Sequence, residues 1–257
     1  MDVVLLAAGR GARLMPLTEN QPKSLVTLPD GRMLIDVLID FYRGMAGIER
    51  LIVVSGYRAD ALAGHLTQDK SGQLLVVENP AYAELGAVGS FLAGVSASNA
   101  TQLIIANADT ICGEDFRQSL HAAAREDRDG LRLLGSADNG DDDAVRVRVG
   151  SNDRIERIGK ALPDATQHPV STGVLIATGY GSIATLRSAA QSMVLRRRSG
   201  LCTAIWHSIL DRLIDSGVAI EAWRVPSASW FEIDTTADLT NPMVQALLEK
   251  QPAAADQ

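Results

Sequence analysis

The stretch Asp2-Val3-Val4-Leu5-Leu6-Ala7-Ala8-Gly9-Arg10-Gly11-Ala12-Arg13-Leu14, continued by Pro16-Leu17-Thr18 and Pro22-Lys23-Ser24-Leu25, decides the reading of the chain. Val3 to Leu6 is an unbroken apolar run rich in branched side chains, the pattern of a strand buried on both faces of a parallel sheet. The run stops at small residues and two glycines, Gly9 and Gly11. Backbone without side chains turns tightly there, and its N–H groups are open to a polyphosphate. Arg13 and Lys23 add positive charge beside that bend, one as a planar fork and one as a point charge. The bend lacks the third glycine of the dinucleotide fingerprint, which sets aside a hydride-transfer reading. It also lacks the Gly-Lys-Ser/Thr of a P-loop. Pro16, Asn20 and Pro22 oppose helix, so a loop carries Arg13 and Lys23 and is placed to close over a bound nucleotide.

The bulk properties narrow the class. The 257 residues fit one large α/β domain or two small ones, and the 46% hydrophobic content is that of a globular core. A net charge of −7 gives no broad basic surface, so nucleic acid is not an expected partner. Cys112 and Cys202 are distant in sequence and suggest no disulfide framework; a reducing cytoplasm is the expected location. No basic region precedes the first strand, so no leader peptide is read there. No run approaches the ~20 apolar residues that span a bilayer.

Further along, apolar residues recur at helical spacing from Leu34 to Met45, and Gly47 follows. Leu51 to Val54 and Leu74 to Val77 read as buried strands around a helix from Ala59 to Leu66. This alternation predicts an α/β fold with a mostly parallel sheet covered on both faces. Leu103 to Thr110 reads as a fourth strand with Asp109 at its carboxyl end, the edge where open α/β sheets bind ligands and where the Gly9 bend also lies. From Arg132 the pattern changes, and Leu131, Leu133 and Leu134 suggest a strand. Ser136 to Asp143 is polar, and neighbouring carboxylates in Asp141-Asp142-Asp143 point in different directions, as in a solvated loop. Val145 to Val149 and Ile155 to Lys160 alternate as an antiparallel hairpin. Val170 to Ile176 is another buried strand, with Gly173 admitting a close neighbour to its backbone. A helix follows from about Ile183 to Ala190. Arg196-Arg197-Arg198 reads as a solvated basic cluster, with contact to an anionic acceptor as its alternative reading. Ile205 to Ile214, including Trp206, reads as a packed helix rather than an aromatic binding box. Ala219 to Val225 is a late strand.

The string LAAGRGARLMPLT…QPKSL resembles the signature of the nucleotidyltransferases that make nucleoside-diphosphate sugars and CDP-alcohols. A second likeness is Asn79-Pro80-x-Tyr82 with Ser90-Phe91, similar to the phosphocholine cytidylyltransferase-like branch, although Gly86 and Ala87 stand near the place of that branch's asparagine pair. Ser90 alternatively begins the helix Phe91 to Val95. Asp109 matches a metal-binding aspartate, here preceded by Ala108 instead of glycine; a helix cap is its alternative reading. Ile158-Gly159-Lys160 resembles a hairpin whose lysine faces the acceptor. Trp230-Phe231-Glu232-Ile233-Asp234-Thr235-Thr236-Ala237-Asp238-Leu239 resembles the closing segment whose aspartate completes the metal site. Alternation puts Glu232 and Asp234 on one face, and Thr235 or Thr236 is read as the cap of a helix from Ala237 to Leu248.

The resemblance implies a Rossmann-like, doubly wound fold of the nucleotide-diphospho-sugar transferase type, with a small antiparallel hairpin insertion. Residues 1–245 form one nucleotidyltransferase domain, 1–130 holding nucleotide and 131–245 the acceptor, and 246–257 end in a helix and a disordered tail. It also implies Mg²⁺ on Asp109 and Asp234, a hard cation suited to carboxylates and phosphate oxygens. Arg13 and Lys23 join those two acids as the catalytic set. Leu6, Ala7, Ala8, Gly9, Arg10, Gly11, Asn79 and Ser90 are the expected nucleotide contacts, and Lys160, Gly173 and Glu232 the acceptor contacts. The expected reaction transfers a nucleotidyl group, from CTP by preference, to a phosphorylated alcohol or phosphonate. A sugar 1-phosphate with UTP, GTP or dTTP is the alternative, and a catalytically silent nucleotide-binding regulator is the alternative of another class. Choline in particular would need an aromatic cage, yet aromatics are 4% of residues and Leu131 to Gly179 contains none. A monomer or homodimer with no membrane partner is expected.

Overall fold

The computed structural model describes residues 1–137, 143–162, 168–196 and 200–250. Strand β1 (Asp2–Leu6) sits in the middle of the sheet, paired in parallel with β2 (Arg50–Ser55) on one side and β4 (Gln102–Asn107) on the other. Its alternation explains the two-sided cover. Val3 and Leu5 join one apolar cluster and Val4 the other, all at 0% exposure. Each such side chain contributes roughly 1.5–3 kcal/mol of burial. The first cluster is completed by α1 (Leu34–Arg43), α2 (Ala59–Leu66), α4 (Glu114–Ala124) and α7 (Pro242–Glu249). The second is completed by α3 (Tyr82–Ser96), α5 (Tyr180–Leu195) and α6 (His207–Asp215).

Strand β3 (Leu74–Glu78) forms one edge of the sheet and β10 (Ile220–Arg224) the other, in the order β10-β6-β9-β4-β1-β2-β3. Here β6 is Gly130–Ser136 and β9 is Val170–Thr178. Strand β9 runs antiparallel to both of its neighbours, while the remaining pairs along this order are parallel. The hairpin of β7 (Arg146–Val149) and β8 (Ile155–Gly159) joins the sheet through β9.

Four elements differ from the sequence reading. Leu74 to Val77, read as a buried strand, is the half-exposed edge strand β3, with Leu75 37% exposed. The run Leu103 to Thr110 is two strands: β4 ends at Asn107, and β5 (Thr110–Cys112) leaves the main sheet to pair antiparallel with β11 (Trp230–Glu232). The proposed helix Phe91 to Val95 is the second part of the longer α3, which breaks at Gly86 (φ 54°, ψ −147°). The helix read from Ala237 to Leu248 starts later. A 3-10 turn occupies Asp238–Thr240, and α7 begins at Pro242 with Asn241 Oδ1 accepting the Met243 N–H at 2.9 Å. Proline suits the first helical position because its missing N–H would have no partner there.

Gly86 is required on two counts. Its backbone lies in a region essentially closed to other residues, and a Cβ there would meet the Leu201 carbonyl at 2.7 Å and the Cys202 carbonyl at 2.9 Å. Gly86→Ala is expected to cost about 2–4 kcal/mol through backbone strain and overlap. Urea unfolding of the variant checks this; a midpoint equal to that of the parent chain would refute it.

Candidate active site

The short β5–β11 ladder is the device that assembles the site. Its register pairs Glu232 with Thr110, and the next rung is a hydrogen bond from the Ile233 N–H to the Asp109 carbonyl at 2.9 Å. Residues far apart in sequence are thereby set side by side. Asp109, Glu232 and Asp234 each offer a carboxylate oxygen, all within 4.8 Å of one another. Asp238 fixes the turn that presents Asp234: its Oδ2 accepts the Asp234 N–H at 2.8 Å and the Thr235 N–H at 2.6 Å. Neither threonine read as a helix cap serves as one: Thr235 lies in this turn, its hydroxyl donating to Asp238 Oδ2 at 3.0 Å, and Asn241 caps α7.

Lys23 reaches these acids from the glycine bend. Its Nζ donates to Asp109 Oδ2 at 2.7 Å and to Asp234 Oδ1 at 2.6 Å. Burial alone would lower the pKa of this ammonium, but Asp109 and Asp234 outweigh it and hold the group above its ordinary value. Gly11, in the left-handed region at φ +68°, leaves room for the lysine stem, since a Cβ there would lie 2.8 Å from Lys23 Cβ. Space around Gly9 is open. Arg13 bridges the rim: it contacts Asp234 Oδ2 at 2.9 Å and Asp143 Oδ2 at 3.0 Å. Partial burial opposes its charge, and Asp234, Asp143 and Glu232 raise its pKa regardless. Asp143 also accepts from Lys160 Nζ at 2.6 Å, and that bond heads the causes that lower its pKa.

These groups line a cleft of about 420 Å³ at the carboxyl ends of the central strands. Leu6, Ala8, Gly9, Arg10 and Ser90 reach it from the nucleotide set read in the sequence. Three of that set do not: Gly11, whose missing side chain makes room for Lys23, and two buried residues. Ala7 is 4% exposed and packs in the core. Asn79 is 5% exposed, and its Nδ2 donates to Ser90 Oγ at 3.0 Å. Ser90 neither caps nor begins a helix; it lies within α3 and donates to the Gly86 carbonyl at 3.3 Å. Arg10 lies over the Tyr57 ring at 5.3 Å. Gly173 (φ +73°) does admit a close neighbour, but the neighbour is the chain's own Asn107, whose amide a Cβ there would overlap. Glu232, assigned to the acceptor from the sequence, lines the cleft and also stands among the metal-binding candidates.

Asn107, Asp143, Ser171, Trp206 and His207 also line the cleft and were not singled out as site residues. Asp143 was read as part of a solvated run; of that run it alone is described, and it is ion-paired. Trp206 packs as read, yet its indole N–H donates to Asn107 Oδ1 at 2.8 Å. Of the Arg196 to Arg198 cluster, Arg197 and Arg198 lie outside the described residues, and Arg196 is exposed.

His207 is 3% exposed, with Nε2 2.8 Å from Ser171 Oγ and its Nδ1 without a partner among the described residues. Burial, aided by the charge of Lys160, pushes its pKa down to about 3. A group depressed in the folded state stabilises above its unfolded pKa, and that contribution is lost as pH falls from the unfolded value towards about 3. His207 is therefore expected to make the fold about 2 kcal/mol less stable at pH 5 than at pH 7. Urea unfolding at both pH values, with His207→Asn alongside, checks this; an identical pH slope in the variant would contradict it.

The donor set fits a hard divalent cation. Three carboxylates converge, and Asp109 Oδ1 is buried without a hydrogen-bond partner among the described residues.

The sequence profile of the nucleotidyl transferase family matches residues 2–158. This chain belongs to that family. It is 33% identical to the CTP:phosphoglutamine cytidylyltransferase of Campylobacter jejuni over 131 residues, which are 49% of this chain and 50% of that protein. It is 29% identical to the 2-aminoethylphosphonate cytidylyltransferase of Lancefieldella rimae over 114 residues, 44% of this chain and 45% of that one. The chain thus spans about half the length of these curated relatives. The structure of the inositol-1-phosphate CTP transferase from T. maritima superimposes with a TM-score of 0.79 at 27% identity, covering 100% of this chain and 98% of that one. Among the described residues no helix of this nucleotidyl transferase family member is long and apolar enough to cross a membrane.

Proposed function

We propose that this chain is a Mg²⁺-dependent cytidylyltransferase, which transfers CMP from CTP to a phosphorylated alcohol or a phosphonate and releases pyrophosphate. The observation that carries the reading is the meeting of Asp109, Glu232 and Asp234 with Lys23 and Arg13 beside an open glycine bend. The cytidylyltransferase relatives support the choice of CTP.

In the reaction an acceptor oxygen, already ionised at neutral pH, attacks the α-phosphorus. A new P–O bond forms, the bond from the α-phosphorus to its bridging oxygen breaks, and pyrophosphate leaves with that electron pair. No general base is needed, and the protein's contribution is alignment and charge neutralisation. Mg²⁺ held by Asp109 and Asp234, with Glu232 adjoining, supplies positive charge to the phosphate oxygens. The Ala8 to Gly11 backbone receives the nucleotide. Arg13 neutralises the departing pyrophosphate, and Lys23 serves the α-phosphate or the incoming group. Lys160 orients the acceptor once it leaves Asp143. Residues 1–130 form the nucleotide side and 131–245 the acceptor side of one domain.

A pyrophosphate-release panel tests the reading: four nucleoside triphosphates with Mg²⁺ against phosphorylated alcohols, aminoalkyl phosphonates and hexose 1-phosphates. Release with CTP and a phosphorylated alcohol or phosphonate is the expected result. Release only with UTP, GTP or dTTP and a hexose 1-phosphate would replace the reading with a sugar-nucleotide synthase. No release with any pair would leave a nucleotide-binding regulator.

A further inference from the structure

The cleft wall formed by the end of β4, by β9 and by the start of α6 carries an amide whose orientation the fold has fixed. Asn107 Oδ1 accepts the Trp206 indole N–H at 2.8 Å. An indole nitrogen only donates, so the amide oxygen must face it and the NH₂ must face away. Trp206 cannot turn to release that bond. Its ring is 3% exposed, stacked on Phe91 with centroids 5.6 Å apart and on His207 at 3.9 Å. The Nδ2 end of the amide lies against Gly173, whose missing side chain is what leaves it room. Asn107 Nδ2 has no hydrogen-bond partner among the described residues, and Asn107 lines the cleft.

The same wall lacks what a quaternary ammonium needs. Such a group binds over open aromatic faces. Among the described residues the aromatic side chains on the cleft are Tyr82 and Trp206. Trp206 is 3% exposed and stacked on Phe91 and His207, so this wall presents no open aromatic face; Tyr82, on α3, is a lone ring with an edge contact to Tyr57 at 6.3 Å and makes no cage. Asp143, the acid at the rim, is already held by Lys160 and Arg13. What the wall offers is uncharged hydrogen bonding from the Asn107 NH₂, beside a Ser171–His207 pair already engaged with each other.

We propose that Asn107 is a specificity-determining residue whose Nδ2 donates to a hydroxyl oxygen of the acceptor, that Trp206 is its positioning residue, and that the acceptor is a phosphate ester of a polyhydroxylated alcohol rather than of a quaternary amine. This rests on the cytidylyltransferase reading and names the acceptor class for it. A bound hydroxyl completes a donor that the fold leaves unpaired, which an acceptor lacking the hydroxyl cannot do.

Steady-state kinetics at saturating CTP and Mg²⁺ test it, with inositol 1-phosphate and glycerol 3-phosphate set against phosphocholine. The unsubstituted chain is expected to show kcat/KM about tenfold or more higher for a polyol phosphate than for phosphocholine. Asn107→Ala is expected to raise the polyol phosphate KM about tenfold or more, with the CTP KM unchanged, and to collapse that preference. Trp206→Phe keeps the stack and removes the N–H; it is expected to raise the acceptor KM about threefold to tenfold. Should Asn107→Ala fail to fold, Asn107→Ser and Trp206→Phe carry the same readout. Preference for phosphocholine, an equal rise in both KM values, or an unchanged acceptor KM in the Asn107 variant would each overturn the inference. An unchanged acceptor KM in Trp206→Phe would overturn the positioning role. If the unsubstituted chain turns over no pair at all, the cytidylyltransferase reading itself has failed.

Discussion

Asp109→Ala is expected to lower turnover roughly 10²–10³-fold while the protein stays folded, with Asp234→Ala behaving alike. Both carboxylates face one point with Glu232, and each removes a hard oxygen donor from a site where charge on phosphate oxygens must be offset. The fold survives because Lys23 contacts both acids, so either variant leaves it one partner. A second readout separates metal binding from other roles. Mg²⁺ is expected to raise the melting temperature of the parent chain, because an ion that binds only the folded state stabilises it by mass action. That rise is expected to vanish in Asp109→Ala. Near-normal rates with Mg²⁺ in either variant, or an undiminished melting shift in Asp109→Ala, would remove these acids from the metal site.

Lys23→Ala should strike both activity and stability. The lysine side chain is 12% exposed and bridges Asp109 and Asp234. Without it, three carboxylates within 4.8 Å of one another lose the cation that bridges Asp109 and Asp234, while Arg13 stays on Asp234. Removing one partner from a buried ion pair costs about 3 kcal/mol or more, because the charges left behind lose their compensation. Turnover is expected to fall roughly 10²–10³-fold with the loss of a cation aimed at the phosphates. Added Mg²⁺ is expected to restore much of the lost stability, since it supplies the missing positive charge, but not the turnover. Urea unfolding with and without Mg²⁺, beside the pyrophosphate assay, reads both effects. A variant as stable as the parent chain without metal would show that the bridge contributes nothing to the fold.

Much of the sheet was legible because its signals are local. Branched apolar runs at Val3, Leu51 and Leu103 mark strands buried on both faces. The similar run at Leu74 also read as buried, yet it is the edge strand β3 with Leu75 37% exposed, and the run alone does not encode a strand's place in the sheet. The direction of β9 was not legible, since a buried strand reads the same either way. Ends of elements moved where two local signals competed. Gly86 broke α3 without ending it, and Pro242 with Asn241 outweighed the threonines at 235 and 236 as a helix start.

The candidate site divides along the same line. By itself the sequence determined a glycine bend after a central strand, two cations beside it, and two acidic segments at the carboxyl edge of a sheet, because composition and period act over a few residues. Only the tertiary structure decided that Glu232 joins Asp109 and Asp234, that Asn79 faces inward, that Gly11 yields to Lys23, and that Trp206 orients Asn107. The first and last of those outcomes depend on the register of β5 against β11 and on the seating of Trp206 against the end of β4, contacts between residues about a hundred or more positions apart that no local pattern encodes. The other two turn on side-chain packing within a dozen residues, which apolar periodicity does not report.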